Sequence, residues 1–117
     1  PSTMLRNTVL LQDTEDTVKI MEWLDEHMLD GSCVLVHHPF LSWADLYLDK
    51  KHVIIDYVND VEKALNVASE QGFNPIYLIW WDKNTEWYGL AVPEHFTYAF
   101  SVERMSIFKL DNNLKSS

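Results

Sequence analysis

Two histidines stand side by side at His37 and His38, where the apolar run "CVLVH" gives way to "HPF". Two further runs end in a comparable way: "HVIIDY" carries Asp56 and Tyr57, and "IYLIWWD" ends on Trp81 and Asp82. Imidazole and carboxylate are the groups that shuttle protons in general acid–base catalysis and that ligate metals. If the three runs are parallel strands, these residues lie at the carboxyl ends, where open sheets receive ligands. His37, His38, Asp56 and Asp82 are therefore the candidate strand-end site.

The chemistry available there is limited by spacing. His37, His38, Asp45 and His52 hold suitable atoms for a metal, but neighbours on a strand point to opposite faces, so the two adjacent histidines cannot both ligate within one strand. No HExxH and no regularly spaced Cys/His pattern is present, and no metal site is assigned. The segment "HHPFLSW" puts side chains where a phosphate cradle needs bare backbone, and no cofactor is expected. Ser42 lies outside any GxSxG setting, and no residue is assigned as catalytic. Asp56 is the most notable carboxylate because it interrupts an apolar strand.

Four aromatic residues, Trp43, Trp81, Trp87 and Tyr88, are candidates for an interface. Five tryptophans in 117 residues is a high count, and such amphipathic rings cap core edges or meet partners. Trp87 and Tyr88 fall in the polar stretch "DKNTEWYG", where they either contact a sugar or protein or fold back over the sheet edge. The second is the simpler reading.

The elements that must position these groups follow from periodicity. A helix starts near Asp13 or Thr14, either of which can cap it, and Thr17, Met21, Leu24 and Met28 form its stripe, widened by Ile20, Trp23 and His27. "DGS" at 30–32 stops it. Val34–His37 lacks alternation and reads as a strand covered on both faces. A short helix over 40–49 groups Leu41, Ala44 and Leu48, and Val53–Asp56 is a second buried strand. Asn59 or Asp60 caps a helix with Val61, Leu65 and Ala68 inward, which Gly72 closes. Ile76–Trp80 is the third strand.

This order predicts a three-layer, Rossmann-like α/β domain with a mainly parallel sheet of at least three strands. Residues 82–96 read as a loop with a short irregular or helical insert, and the last strand, within Met105–Leu110, as an antiparallel edge. One domain spans 5–110, with "NTVLLQ" at 7–12 as a strand or lead-in and 111–117 as a flexible tail. The expected core is Leu24, Val34, Leu35, Val36, Ile54, Ile55, Leu65, Leu78 and Ile79.

Eighteen acidic against nine basic residues give a net charge of −9, which opposes nucleic acid and anionic lipid. The lone Cys33 excludes an internal disulfide. No apolar run approaches the roughly 20 residues of a membrane span. The opening "PSTM" reads as an expression remnant, so an excised fragment is expected.

Together, "EDTVKIMEWLDEHMLDGSCVLVH", "HVIIDY" and "FSVERMSIFKL" resemble the soluble extracytoplasmic domain that follows the membrane spans of polytopic lipid-phosphate-sugar-dependent glycosyltransferases, both oligosaccharyltransferase-like and mannosyltransferase-like. The likeness covers residues 14–57 and 98–110. It implies a non-catalytic accessory domain of a membrane enzyme on the extracytoplasmic face. Its partners would be the membrane-embedded remainder of the same chain and a glycan or protein acceptor. Oligosaccharyltransferase relatives carry a WWD-type motif soon after the first strand, where this chain reads "HHPFLSWAD". Its own Trp80–Asp82 follows the third strand, and the role is not transferred. Two alternatives stand beside this one. The first is a free-standing binding or regulatory α/β domain, cytoplasmic if the chain is complete and homo-oligomeric through its aromatic edge. The second is a small hydrolase or transferase acting around His37, His38 and Asp56.

Overall fold

The computed structural model describes residues 13–48 and 50–111, so the expectations for 7–12 and for the tail beyond 111 lie outside the described residues. The chain runs α1 (Thr14–His27), β1 (Cys33–His37), a 3₁₀ turn (His38–Phe40), α2 (Leu41–Leu48), β2 (Val53–Tyr57) and α3 (Val61–Glu70). It continues through β3 (Ile76–Trp81), α4 (Lys83–Tyr88), β4 (Thr97–Ser101) and β5 (Met105–Leu110). The five strands form one sheet in the order β2-β1-β3-β5-β4. β2, β1 and β3 are parallel, and β5 pairs antiparallel with both β3 and β4.

Alternation along β1 builds the two halves of the core. Val34 and Val36 face α1 and α2, meeting Ile20, Met21, Leu24, Ala44 and Leu48. Cys33 and Leu35 face α3, meeting Val61, Ala64 and Ala68. The three-layer α/β architecture is therefore present, with β1 buried along its whole length.

Three expectations need correcting. "HVIIDY" is an edge strand, with Val53 44% exposed and Ile54 and Ile55 half-buried. The run is continuously apolar because helices pack on both of its faces, a pattern that does not distinguish an edge from a centre. Leu65 is half-buried, since α3 turns Val61, Ala64 and Ala68 inward. Met105–Leu110 is not the edge: β5 lies between β3 and β4, and β4 is the edge. The bulge between Tyr98 and Phe100 breaks the alternation that would have revealed β4 as a separate strand.

Helix starts follow two different rules. Asp60 caps α3, its Oδ1 accepting from the Lys63 N–H at 3.0 Å. Past the other end, Gly72 takes φ +81°, a left-handed turn suited to a residue without Cβ. Asp13, in contrast, makes no side-chain cap on α1. Its carboxylate is fully buried and accepts from the Trp81 indole N–H at 3.2 Å, while Oδ1 lies 3.4 Å from Arg104 Nε. The Arg104 backbone N–H donates to Asp16 at 3.0 Å, and its guanidinium reaches Asp82 at 3.7 Å. Desolvation pushes the Asp13 carboxyl above its ordinary 3.8, with Trp81 and Arg104 pulling the other way. One buried carboxylate thus joins the start of α1, the end of β3 and the β4–β5 turn.

Trp81→Phe should remove the indole donor and leave a small cavity, destabilising the domain by about 2–4 kcal/mol in urea unfolding. Asp13→Asn, which keeps the volume and needs no counter-charge, should cost less. Equal losses in the two variants would mean that the bond to Asp13, not the packing of Trp81, carries the effect.

Candidate functional site

The chain leaves β1 for β2 by way of α2 on one face and returns to β3 by way of α3 on the other. The connections therefore diverge between β1 and β3, and the crevice at their carboxyl ends is the topological switch point. β1 delivers His37 there, and the 3₁₀ turn that follows it begins at His38, with Pro39 in its first turn.

The two histidines part at once. His37 is 1% exposed, and its Nε2 lies 2.9 Å from the Val58 carbonyl, which requires that nitrogen to carry the proton. Its ring stacks on Tyr57 at 5.1 Å and takes the edge of Tyr88 at 4.5 Å. Below, the Tyr57 hydroxyl donates to the Ile79 carbonyl at 3.1 Å and accepts from Asn84 Nδ2 at 3.3 Å. Those bonds leave His37 Nδ1 and Asn84 Oδ1 buried without partners. With Nε2 protonated, both are acceptors, and only a second ring proton would join them. Burial lowers the His37 pKa, and the bond to Val58 and the neighbouring Asn84 amide offset this only in part. His37 is accordingly a neutral, packed imidazole.

His38 faces outward, with Nδ1 3.1 Å from Asp56 Oδ2. Both side chains meet solvent, so water and salt weaken the contact between them. Asp82 is directed elsewhere, toward Arg104. His52 lies at the start of β2, with Nε2 3.4 Å from Asp25 Oδ1. Of the candidate strand-end residues, the fold brings His38 and Asp56 together, buries His37 beside them and gives Asp82 to the Arg104 cluster. Among the described residues no group of three or more His, Cys, Asp or Glu side chains could hold a metal ion.

The candidate interface aromatics are mostly turned inward. Trp81 is fully buried, on the same side of β3 as Tyr77 and Ile79, and packs against Phe40 at 5.1 Å. Trp87 lies edge-on to Trp81 at 5.2 Å, with Lys83 Nζ 5.7 Å from its ring centroid. Tyr88 closes over His37, and half-buried Trp43 packs on the core beside Tyr47. α4 therefore folds its rings back over the strand ends.

Asn84 and the Asp13–Arg104 pair were not recognisable beforehand. Asn84 is one polar residue within a polar stretch, and Asp13 and Arg104 are far apart in the chain. Only the position of Asn84 just past a buried strand hinted at a role. Comparison with known proteins finds no matching family model, no matching curated protein and no matching solved structure, and so adds nothing to the glycosyltransferase resemblance.

A lowered His37 pKa means that the unfolded chain takes up the proton first as pH falls below 6.5. The stability His37 lends is complete above that value and is lost as pH falls through its lower folded pKa. Urea unfolding from about pH 7.5 to about pH 5 should show a shallower decline for His37→Phe than for the wild type. Equal slopes would mean that the ring is already solvated in the fold. Asp13 does not obscure the comparison, because its raised pKa acts with the opposite sign and is present in both proteins.

Proposed function

We propose that this chain is a small binding or regulatory α/β domain that works through its surface and turns nothing over itself. The observation that carries this reading is the filled switch point. Where an open parallel sheet would receive a ligand, Tyr57, Tyr88, Asn84 and the neutral His37 occupy the space. What remains exposed is the His38–Asp56 pair, and among the described residues no serine, threonine or cysteine is hydrogen-bonded to it. Cys33, the one thiol, is buried, and its pKa is pushed up to about 12, which suits a core residue and not a nucleophile.

Apolar side chains, in contrast, do reach the surface. Val53 and Val58 bracket the edge strand β2, and Tyr98 on β4 is 62% exposed. The role as an accessory domain of a membrane glycosyltransferase rests on the residue likeness alone. It requires several apolar segments of roughly 20 residues elsewhere in the full protein. No helix of the described residues is long and apolar enough to cross a membrane.

The reading is tested by asking the surface pair for chemistry. Chromogenic ester and phosphate substrates should give no turnover above buffer, and nucleotides, Zn²⁺ and Mg²⁺ should leave Tm unchanged. Turnover or stabilisation that disappears in both His38→Ala and Asp56→Asn would replace the binding reading with a strand-end enzyme.

A further inference from the structure

The sheet has two edges, and they are built differently. β4 carries a bulge between Tyr98 and Phe100, a device that twists an edge away from further pairing. β2 has none: its register against β1 is unbroken from Val53 to Tyr57, and no proline interrupts it. Its only charge is Asp56, whose Oδ2 already faces His38 at 3.1 Å. Exposed Val53 and Val58 stand at either end of half-buried Ile54 and Ile55. Such an edge offers unpaired backbone donors and acceptors beside apolar side chains.

Charge along this edge is polar in the literal sense. Exposed Lys50 and Lys51 precede the strand, with Lys51 Nζ 3.7 Å from Asp25 Oδ1, whereas exposed Asp56 lies near its end and exposed Asp60 lies beyond it. A parallel neighbour of the same sequence would set like charge beside like. An antiparallel one sets the basic end of each strand against the acidic end of the other. Centred on Ile55, the pairing turns the Lys50–Lys51 end of each strand toward the Asp56–Asp60 end of the other, and the two-fold axis repeats the match.

Resting on the binding-domain reading, we propose that β2 is the site of that binding and that its occupant is a second copy of this chain, paired antiparallel into one continuous sheet across both copies. The net charge of −9 works against any such contact at long range. That repulsion is screened beyond about 8 Å at physiological salt but reaches about 30 Å at 0.01 M, so the dimer forms at the higher ionic strength. A strand-to-strand contact falls at the small end of specific interfaces, below about 1,200 Å², which makes it a weak and reversible dimer.

Sedimentation equilibrium at physiological salt should show concentration-dependent dimerisation. Lys50→Glu/Lys51→Glu makes both ends of the edge acidic, and Asp56→Lys/Asn59→Lys turns the second end basic to match the first while sparing the Asp60 cap. Each variant alone should dissociate at least about tenfold more readily, and an equimolar mixture should recover wild-type affinity within about threefold. Urea unfolding of each variant checks that it is folded. Amide exchange in the wild type should slow within Val53–Tyr57 as concentration rises. A wild type that stays monomeric overturns the self-pairing and leaves the edge to an extended segment of a different protein, with the absence of turnover still tested separately. Dimers that survive in both variants, or a mixture no tighter than its components, overturn it as well.

Discussion

A carboxylate with no exposure to water must be answered inside the protein, and the answer to Asp13 shapes this domain. The indole of Trp81 supplies a hydrogen bond and the guanidinium of Arg104 an opposite charge 3.4 Å away, and both residues stand at the same end of the β3–β5 pair. Trp81 and Met105 are register partners at the junction of β3 and β5. The same carboxylate that anchors α1 thereby aligns the closing hairpin. Leaving such a charge unpartnered would cost several kcal/mol, comparable to the whole stability of many domains of this size. The start of α1 and the β4–β5 turn are accordingly coupled: loosening either exposes the other to the same penalty.

That coupling has a consequence at the strand ends. With Trp81 drawn into the core, the chain turns directly into α4 and brings Asn84 under Tyr57 and Tyr88 over His37. A doubly wound arrangement leaves a crevice at its switch point, and here the segment after β3 fills it. His37 is the residue most altered by this. A histidine at a strand end is ordinarily an available proton carrier, but under two tyrosine rings it becomes a packing group with one satisfied nitrogen. The unmatched Nδ1 and Asn84 Oδ1 are the residual cost of that packing.

Much of the frame could be read from the sequence because it depends on local pattern. The α1 stripe apart from exposed His27, the unalternating β1 run, the Asp60 cap and the Gly72 stop are all set by neighbouring residues, and each lies where local pattern puts it. Strand order was harder to read. β2 resembles a central strand because α2 and α3 cover both its faces, and nothing within "HVIIDY" says which side lacks a neighbour. β4 was hidden by its bulge. The fate of the strand-end residues was only partly legible: His37 and His38 part because β1 ends at His37 and a 3₁₀ turn begins at His38, and the burial of His37 depends on Asn84 and Tyr88, far along the chain. Partnerships such as Asp13 with Arg104 are made by tertiary contact and leave no trace in spacing.

Net charge and charge arrangement also lead to different conclusions. A chain with 18 acidic and 9 basic residues repels polyanions as a whole, and this excludes classes of partner without naming one. Recognition at short range depends instead on order along an element. The basic residues Lys50 and Lys51 fall on one side of β2, and Asp56 and Asp60 fall toward the other. The overall field therefore sets the salt concentration at which two surfaces can approach, and the sequence of charges sets the direction in which they pair. The bulged β4 edge shows that this fold has a means of closing an edge, and at β2 that means is absent. An edge left regular, bordered by exposed valines and graded in charge is built for an antiparallel neighbour more than for solvent.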